Sequence, residues 1–163
     1  FSPPRISTVA RARNHPRMTQ AAVTDLESQL RRDEGERRHV YADSEGFLTI
    51  GIGRLVDRRK AGSGLSSAEC THLLHNDLHR IEIELGSALP WIYGLEPVRR
   101  AVLHNMAFQL GTAGLLKFRR TLALVKEMRY AEAAREMLDS RWAQQTPARA
   151  HRLARQMATN TWQ

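Results

Sequence analysis

DEGERRHVYADSEGFLTIGIGRL, residues 33–55, is the stretch that decides how this chain folds. It opens on two acids followed by Gly35, the residue type that most readily ends a helix in the left-handed conformation. From Arg37 to Asp57, Val40, Tyr41, Phe47, Thr49 and Ile50 stand among Gly46, Gly51 and Gly53. Aromatic and β-branched residues punctuated by glycine predict a small antiparallel sheet. Upstream, Thr24 and Glu27 have capping-box spacing ahead of Leu26 and Leu30, so a helix is predicted from about Thr24 to Gly35. Downstream, Gly62-Ser63-Gly64 marks a loop, and Ser66 with Glu69 gives a second capping box. Leu73, Leu74, Leu78, Ile81 and Leu85 then follow at helical spacing, predicting a long helix that stops near Gly86.

Pro97 suits the first turn of a further helix carrying Val98, Val102, Met106 and Leu110 and ending at Gly111. Shorter helical patterns cover about 118–127, 130–139 and 148–158. The order helix, small sheet, long helix, helical bundle predicts an α+β protein with its sheet confined to one end. Residues 1–23 read as a basic N-terminal arm, expected to be flexible, and 24–163 as one domain. Within that domain the sheet lobe spans about 36–65, the connecting helix 66–85 and the mainly helical lobe 86–163.

Composition narrows the class. With 42% hydrophobic and 26% charged residues, the chain has the makeup of a globular protein and not of a disordered one. No apolar run reaches the roughly 18 residues of a membrane span. Cys70 is the single cysteine, so no intramolecular disulfide forms; it reads as a partly buried helix residue without a catalytic part. The 25 Lys and Arg against 17 Asp and Glu make a field that attracts polyanions: nucleic acid, anionic lipid or acidic envelope polymers. Arg5, Arg11, Arg13 and Arg17 concentrate part of it in the arm. Aromatics are only 6% and no base-reading motif is present, which argues against a nucleic-acid partner.

Glycoside cleavage needs a proton donor on the leaving oxygen and a carboxylate across the bond. Glu34 at a helix end and Asp43 in a sheet turn fit those two roles. The negative helix end favours the protonated form of Glu34, while polar backbone groups in the turn favour an ionised Asp43. Glu36 and Glu45 read as surface charges. His72, His75 and His79 share one helix face, but no cysteine or paired acid completes a metal site, so neither metal nor cofactor is expected. Trp142 reads as core, and Trp91 and Trp162 are candidates for sugar stacking.

The pattern D-E-G-x-R-x-x-x-Y-x-D-x-x-G-x-x-T-I-G-I-G over 33–53 resembles the active-site stretch of the T-even phage lysozyme family, glycoside hydrolase family 24. Asn105-Met106-Ala107-Phe108-Gln109-Leu110-Gly111 resembles that family's central buried helix. Ser140-Arg141-Trp142, Gln145-Thr146-Pro147, Arg149-Ala150 and the closing Thr161-Trp162 resemble its C-terminal motif. The resemblance covers about 24–163 and implies a lysozyme-like fold and an endolysin. Such an enzyme hydrolyses the β-1,4 bond between N-acetylmuramic acid and N-acetylglucosamine of peptidoglycan, with inversion.

Carried across by position, the resemblance makes Glu34 the general acid, Asp43 the second catalytic carboxylate and Thr49 a holder of the attacking water. Leu55, Phe108, Thr121 and Glu136 fall on saccharide contacts. Asp33 and Arg149 are expected to pair in support of Glu34. Arg54 and Asp77 replace a histidine–aspartate pair of the family, and because arginine stays charged the pH switch of a histidine is expected to be lost. The implied protein is a monomer made in the host cytoplasm that acts on the wall after release, its basic surface drawn to anionic envelope polymers; the export route is left open. Two other readings stand beside it: a lysozyme domain of a phage tail or virion protein, and a basic nucleic-acid- or membrane-binding protein.

Overall fold

The computed structural model describes residues 19–163, so residues 1–18 of the basic arm read at 1–23 lie outside the described residues, while 20–23 belong to a helix and not to a flexible arm. Two compact units divide between Leu65 and Ser66.

In the first unit, helix α1 runs Gln20–Glu34. It begins four residues before the predicted start, because Thr24 is no cap. Its Oγ1 donates to the Gln20 carbonyl at 3.0 Å, the back-bond a hydroxyl makes inside a helix. The predicted stop is where it was expected: Gly35 takes φ +73°, and its N–H closes on the Arg31 carbonyl at 3.1 Å. Strands β1 (Arg37–Ala42), β2 (Leu48–Gly51) and β3 (Arg54–Leu55) follow as an antiparallel sheet in that order. Tyr41 and Leu55 both pair with Thr49, which puts these three side chains on one face of the central strand. A register shift between Arg37 and Tyr41 bulges β1.

The second unit is helical. Helix α2 (Ser67–Ala88) opens on the Ser66–Glu69 capping box: Glu69 N–H donates to Ser66 Oγ at 3.2 Å, and Ser66 N–H donates to Glu69 Oε2 at 2.7 Å. It does not stop at Gly86. That glycine lies inside the helix because the Tyr93 ring, on the 3-10 turn Pro90–Gly94, occupies the space a Cβ would need. Helix α3 (Pro97–Leu110) starts on its proline and ends at Gly111, φ +72°. Then come α4 (Thr112–Leu115), α5 (Arg119–Lys126), α6 (Tyr130–Leu138), α7 (Arg141–Gln145) and α8 (Pro147–Thr159). The four-residue α4 and five-residue α7 are too short to show a period, which is why the sequence does not reveal them.

The core of this unit surrounds α3. Val102, Leu103 and Met106 are fully buried with Leu85, Val125, Met137 and Met157. Trp142 packs edge-on against Phe118 and donates its indole N–H to Gln109 Oε1 at 2.9 Å, so its place is in the core. Arg99 joins α3 to α8: its Nε donates to the Met157 carbonyl at 2.9 Å while its guanidinium lies 3.7 Å from the Tyr130 ring centre. Cys70 is exposed, a correction to the partly buried position expected of it.

Candidate active site

Glu34 is the last residue of α1, exposed, with its carboxyl turned toward Gly53. A methyl group on Gly53 would stand 3.0 Å from Glu34 Oε2, 3.3 Å from Cδ and 3.4 Å from Cγ. Gly53 also has φ +68°, in the tight turn between β2 and β3. This position therefore needs glycine twice, for backbone conformation and for the acid beside it.

Asp43 begins the turn that joins β1 to β2. Its N–H bonds the Phe47 carbonyl at 2.9 Å, and its carbonyl accepts from Gly46 N–H at 3.0 Å. Oδ1 accepts two more backbone bonds, from Glu45 N–H at 2.9 Å and Phe47 N–H at 2.8 Å. An aspartate that folds its own turn in this way keeps a fixed rotamer. Oδ2 accepts no hydrogen bond among the described residues. Thr49 is 4% exposed on the central strand, its hydroxyl donating to the Phe47 carbonyl at 3.3 Å. Leu55 lies beside it across the β2–β3 pairing. The first unit thus brings Asp43, Thr49 and Leu55 onto one three-stranded sheet, with Glu34 lodged at its second turn.

Two residues of the loop that follows β3 were not singled out from sequence. Asp57, 3% exposed, accepts Leu48 N–H on Oδ2 at 3.0 Å and Arg59 N–H on Oδ1 at 2.9 Å. The Arg59 guanidinium grips both oxygens, Nε to Oδ1 at 2.9 Å and a terminal N–H to Oδ2 at 2.6 Å. The Arg59 side-chain bonds first, then the Leu48 and Arg59 backbone N–H groups, hold the Asp57 carboxyl well below the usual carboxylate range. The only sequence signal was an acid and a base two residues apart, which is too common to notice.

The remaining saccharide-binding candidates lie in the second unit. Phe108 on α3 is 44% exposed, and Thr121 on α5 is 1% exposed. Thr121 and Glu136 line one hollow of about 420 Å³ together with Phe118 and Arg120. Glu136 pairs with Arg120 Nε at 3.2 Å. Among the supporting residues, Arg149 Nε donates to Asn105 Oδ1 at 2.8 Å, and Asp77 accepts from Arg80 at 3.2 Å. Asp33 lies 3.8 Å from Arg32. Glu34, Asp43 and Thr49 therefore belong to one unit, and Phe108, Thr121 and Glu136 to the other.

Known proteins are similar to this chain over most of its length. A family model described as phage lysozyme matches residues 31–158. "Probable T4-type lysozyme 1" of Dictyostelium discoideum is 34% identical over 85% of this chain and 96% of its own length. The "Pre-baseplate central spike protein Gp5" of Enterobacteria phage T4 is 32% identical over 86% of this chain and 28% of its own length. The "Endolysin" of Salmonella phage P22 is 38% identical over 37% of this chain and 44% of its own length. The extent of the family match and the near-full-length relative agree, and this chain belongs to the phage lysozyme family.

Proposed function

We propose that this protein is a peptidoglycan-hydrolysing lysozyme that cuts the β-1,4 bond between N-acetylmuramic acid and N-acetylglucosamine, with Glu34 as acid and Asp43 as its partner carboxylate. The observation that carries the assignment of roles is the contrast between the two acids. Glu34 closes α1 as an exposed side chain whose carboxyl is turned toward Gly53. Asp43 has one oxygen tied by two backbone N–H groups and the other unbonded among the described residues.

In the proposed reaction Glu34 gives its proton to the glycosidic oxygen as the C1–O bond breaks, and N-acetylglucosamine leaves as the alcohol. Water adds to C1 from the opposite face, losing its proton to Asp43, so the anomeric centre inverts. Asp43 Oδ2 and the Thr49 hydroxyl orient that water; the Thr49 hydrogen points to the Phe47 carbonyl, which leaves its oxygen to accept. Leu55, Phe108, Thr121 and Glu136 are the proposed saccharide contacts.

The net charge of +8 supports concentration of the protein on anionic envelope polymers, with binding that weakens as salt rises. No helix among the described residues is long and apolar enough to cross a membrane. The proposed enzyme works as a monomer on the wall after release from the cell that makes it. Borohydride reduction of freshly cut peptidoglycan tests the bond assignment, and NMR of the nascent ends tests inversion. N-acetylmuramicitol and an initial α-anomer are expected; N-acetylglucosaminitol or an initial β-anomer contradicts the reading.

A further inference from the structure

Asp57 and Arg59 lie at the far end of the sheet from Glu34's helix in sequence, yet their contacts converge on the turn that carries Asp43. Besides gripping Asp57, Arg59 donates a terminal N–H to the Gly46 carbonyl at 2.8 Å. Its guanidinium also stands 5.0 Å from the Phe47 ring centre, and Lys60 Nζ lies 3.9 Å from the same ring. Gly46 and Phe47 are the turn's last two residues. Both bond back to Asp43, Gly46 N–H to its carbonyl and Phe47 N–H to its Oδ1. The negative field of Asp43 is felt at Arg59 as well. Asp57 in turn fixes Arg59 and, through Leu48 N–H, the first residue of β2. The chain of contacts runs without a gap from a buried carboxylate through a guanidinium to the turn of the proposed partner carboxylate.

We infer that Asp57 and Arg59 are positioning residues for the reaction: a two-residue clamp that holds the Asp43–Phe47 turn, and hence Asp43 Oδ2, in place. This inference rests on the proposed role of Asp43. The fork of Arg59 is what makes the clamp, since one planar group meets both Asp57 oxygens and a main-chain carbonyl at once. A misplacement of the order of 1 Å in a reacting group costs about 100-fold in rate, so a loosened turn is expected to lower kcat by about 10- to 100-fold.

The test uses the full chain with Arg59→Gln and Arg59→Lys, assayed on purified peptidoglycan well below the unfolding temperature, with Glu34→Gln alongside. The expected result for Arg59→Gln is a kcat loss in that range, a KM within about twofold of the starting value and faster amide hydrogen exchange at Glu45 and Phe47. Arg59→Lys keeps the charge without the fork and is expected to regain less than half of the lost activity. Unchanged kcat in Arg59→Gln overturns the inference, as does a loss of kcat with Glu45 and Phe47 still protected, or full recovery by lysine. Failure of the proposed function itself reads differently: Glu34→Gln, or Asp43→Asn assayed with it, then hydrolyses as well as the unaltered chain.

Discussion

Replacing Gly53 by alanine separates the backbone of this site from its chemistry. At φ +68° an alanine pays the left-handed penalty, about 1–2 kcal/mol. For a chain of this size that lowers Tm by about 2–8 °C, at roughly 2–4 °C per kcal/mol. Gly51 has the same φ of +68° but nothing within 4 Å of its added methyl, whereas the Gly53 methyl meets Glu34 Oε2 at 3.0 Å. Ordinary contact begins near 3.4 Å, so the Glu34 carboxyl, the free end of an exposed side chain, has to retreat by a few tenths of an ångström. The retreat costs little stability but moves the proposed proton donor. Scaling from about 100-fold per ångström, Gly53→Ala is expected to lose about 5- to 10-fold in kcat beyond whatever Gly51→Ala loses. Circular dichroism melts and peptidoglycan-clearing rates at 25 °C measure the two effects on the same samples. Equal activity loss in the two variants, or full activity in Gly53→Ala, refutes the reasoning that Glu34 works from its place over Gly53.

Further outcomes follow from individual contacts. Because the Asp57 carboxyl titrates below its unfolded value near 3.9, its contribution is complete above that value and fades as pH falls toward the folded one. Acid melts of the chain and Asp57→Asn are therefore expected to converge as pH drops below about 4, and parallel curves contradict the assignment. Ser66→Ala removes one half of the capping box and is expected to cost about 1 kcal/mol in urea unfolding, with activity retained. Met106→Ala empties a fully buried position of the helical core and is expected to cost about 2–5 kcal/mol; a loss below 1 kcal/mol in the same assay counts against the packing described.

The parts legible in the sequence were those written in local chemistry. Gly35 ended α1 and the Ser66–Glu69 pair opened α2, since both signals act on backbone groups a few residues away. The glycine-spaced strands and Pro97 were legible for the same reason. Thr24 misled because a hydroxyl three residues before an acid looks the same whether it caps a helix or bonds back inside one. Gly86 misled because a stop signal and a close-approach position share one residue type, and only the Tyr93 ring distinguishes them. Asp57 and Arg59 were invisible: their meaning depends on Gly46 and Leu48, about ten residues away, reached only once the sheet has formed. Glu34 and Asp43 stood out as a helix-end acid followed by a turn acid, whereas Thr49, Leu55, Phe108, Thr121 and Glu136 rested on resemblance alone.

The most direct test of the account is the rate at which Glu34→Gln clears purified peptidoglycan at neutral pH, compared with the unaltered chain at equal folded concentration. The amide keeps the size and place of the side chain over Gly53 but has no proton to give, so a fall of at least about 100-fold is expected. Clearing within a few fold of the unaltered rate contradicts a proton delivered from the end of α1.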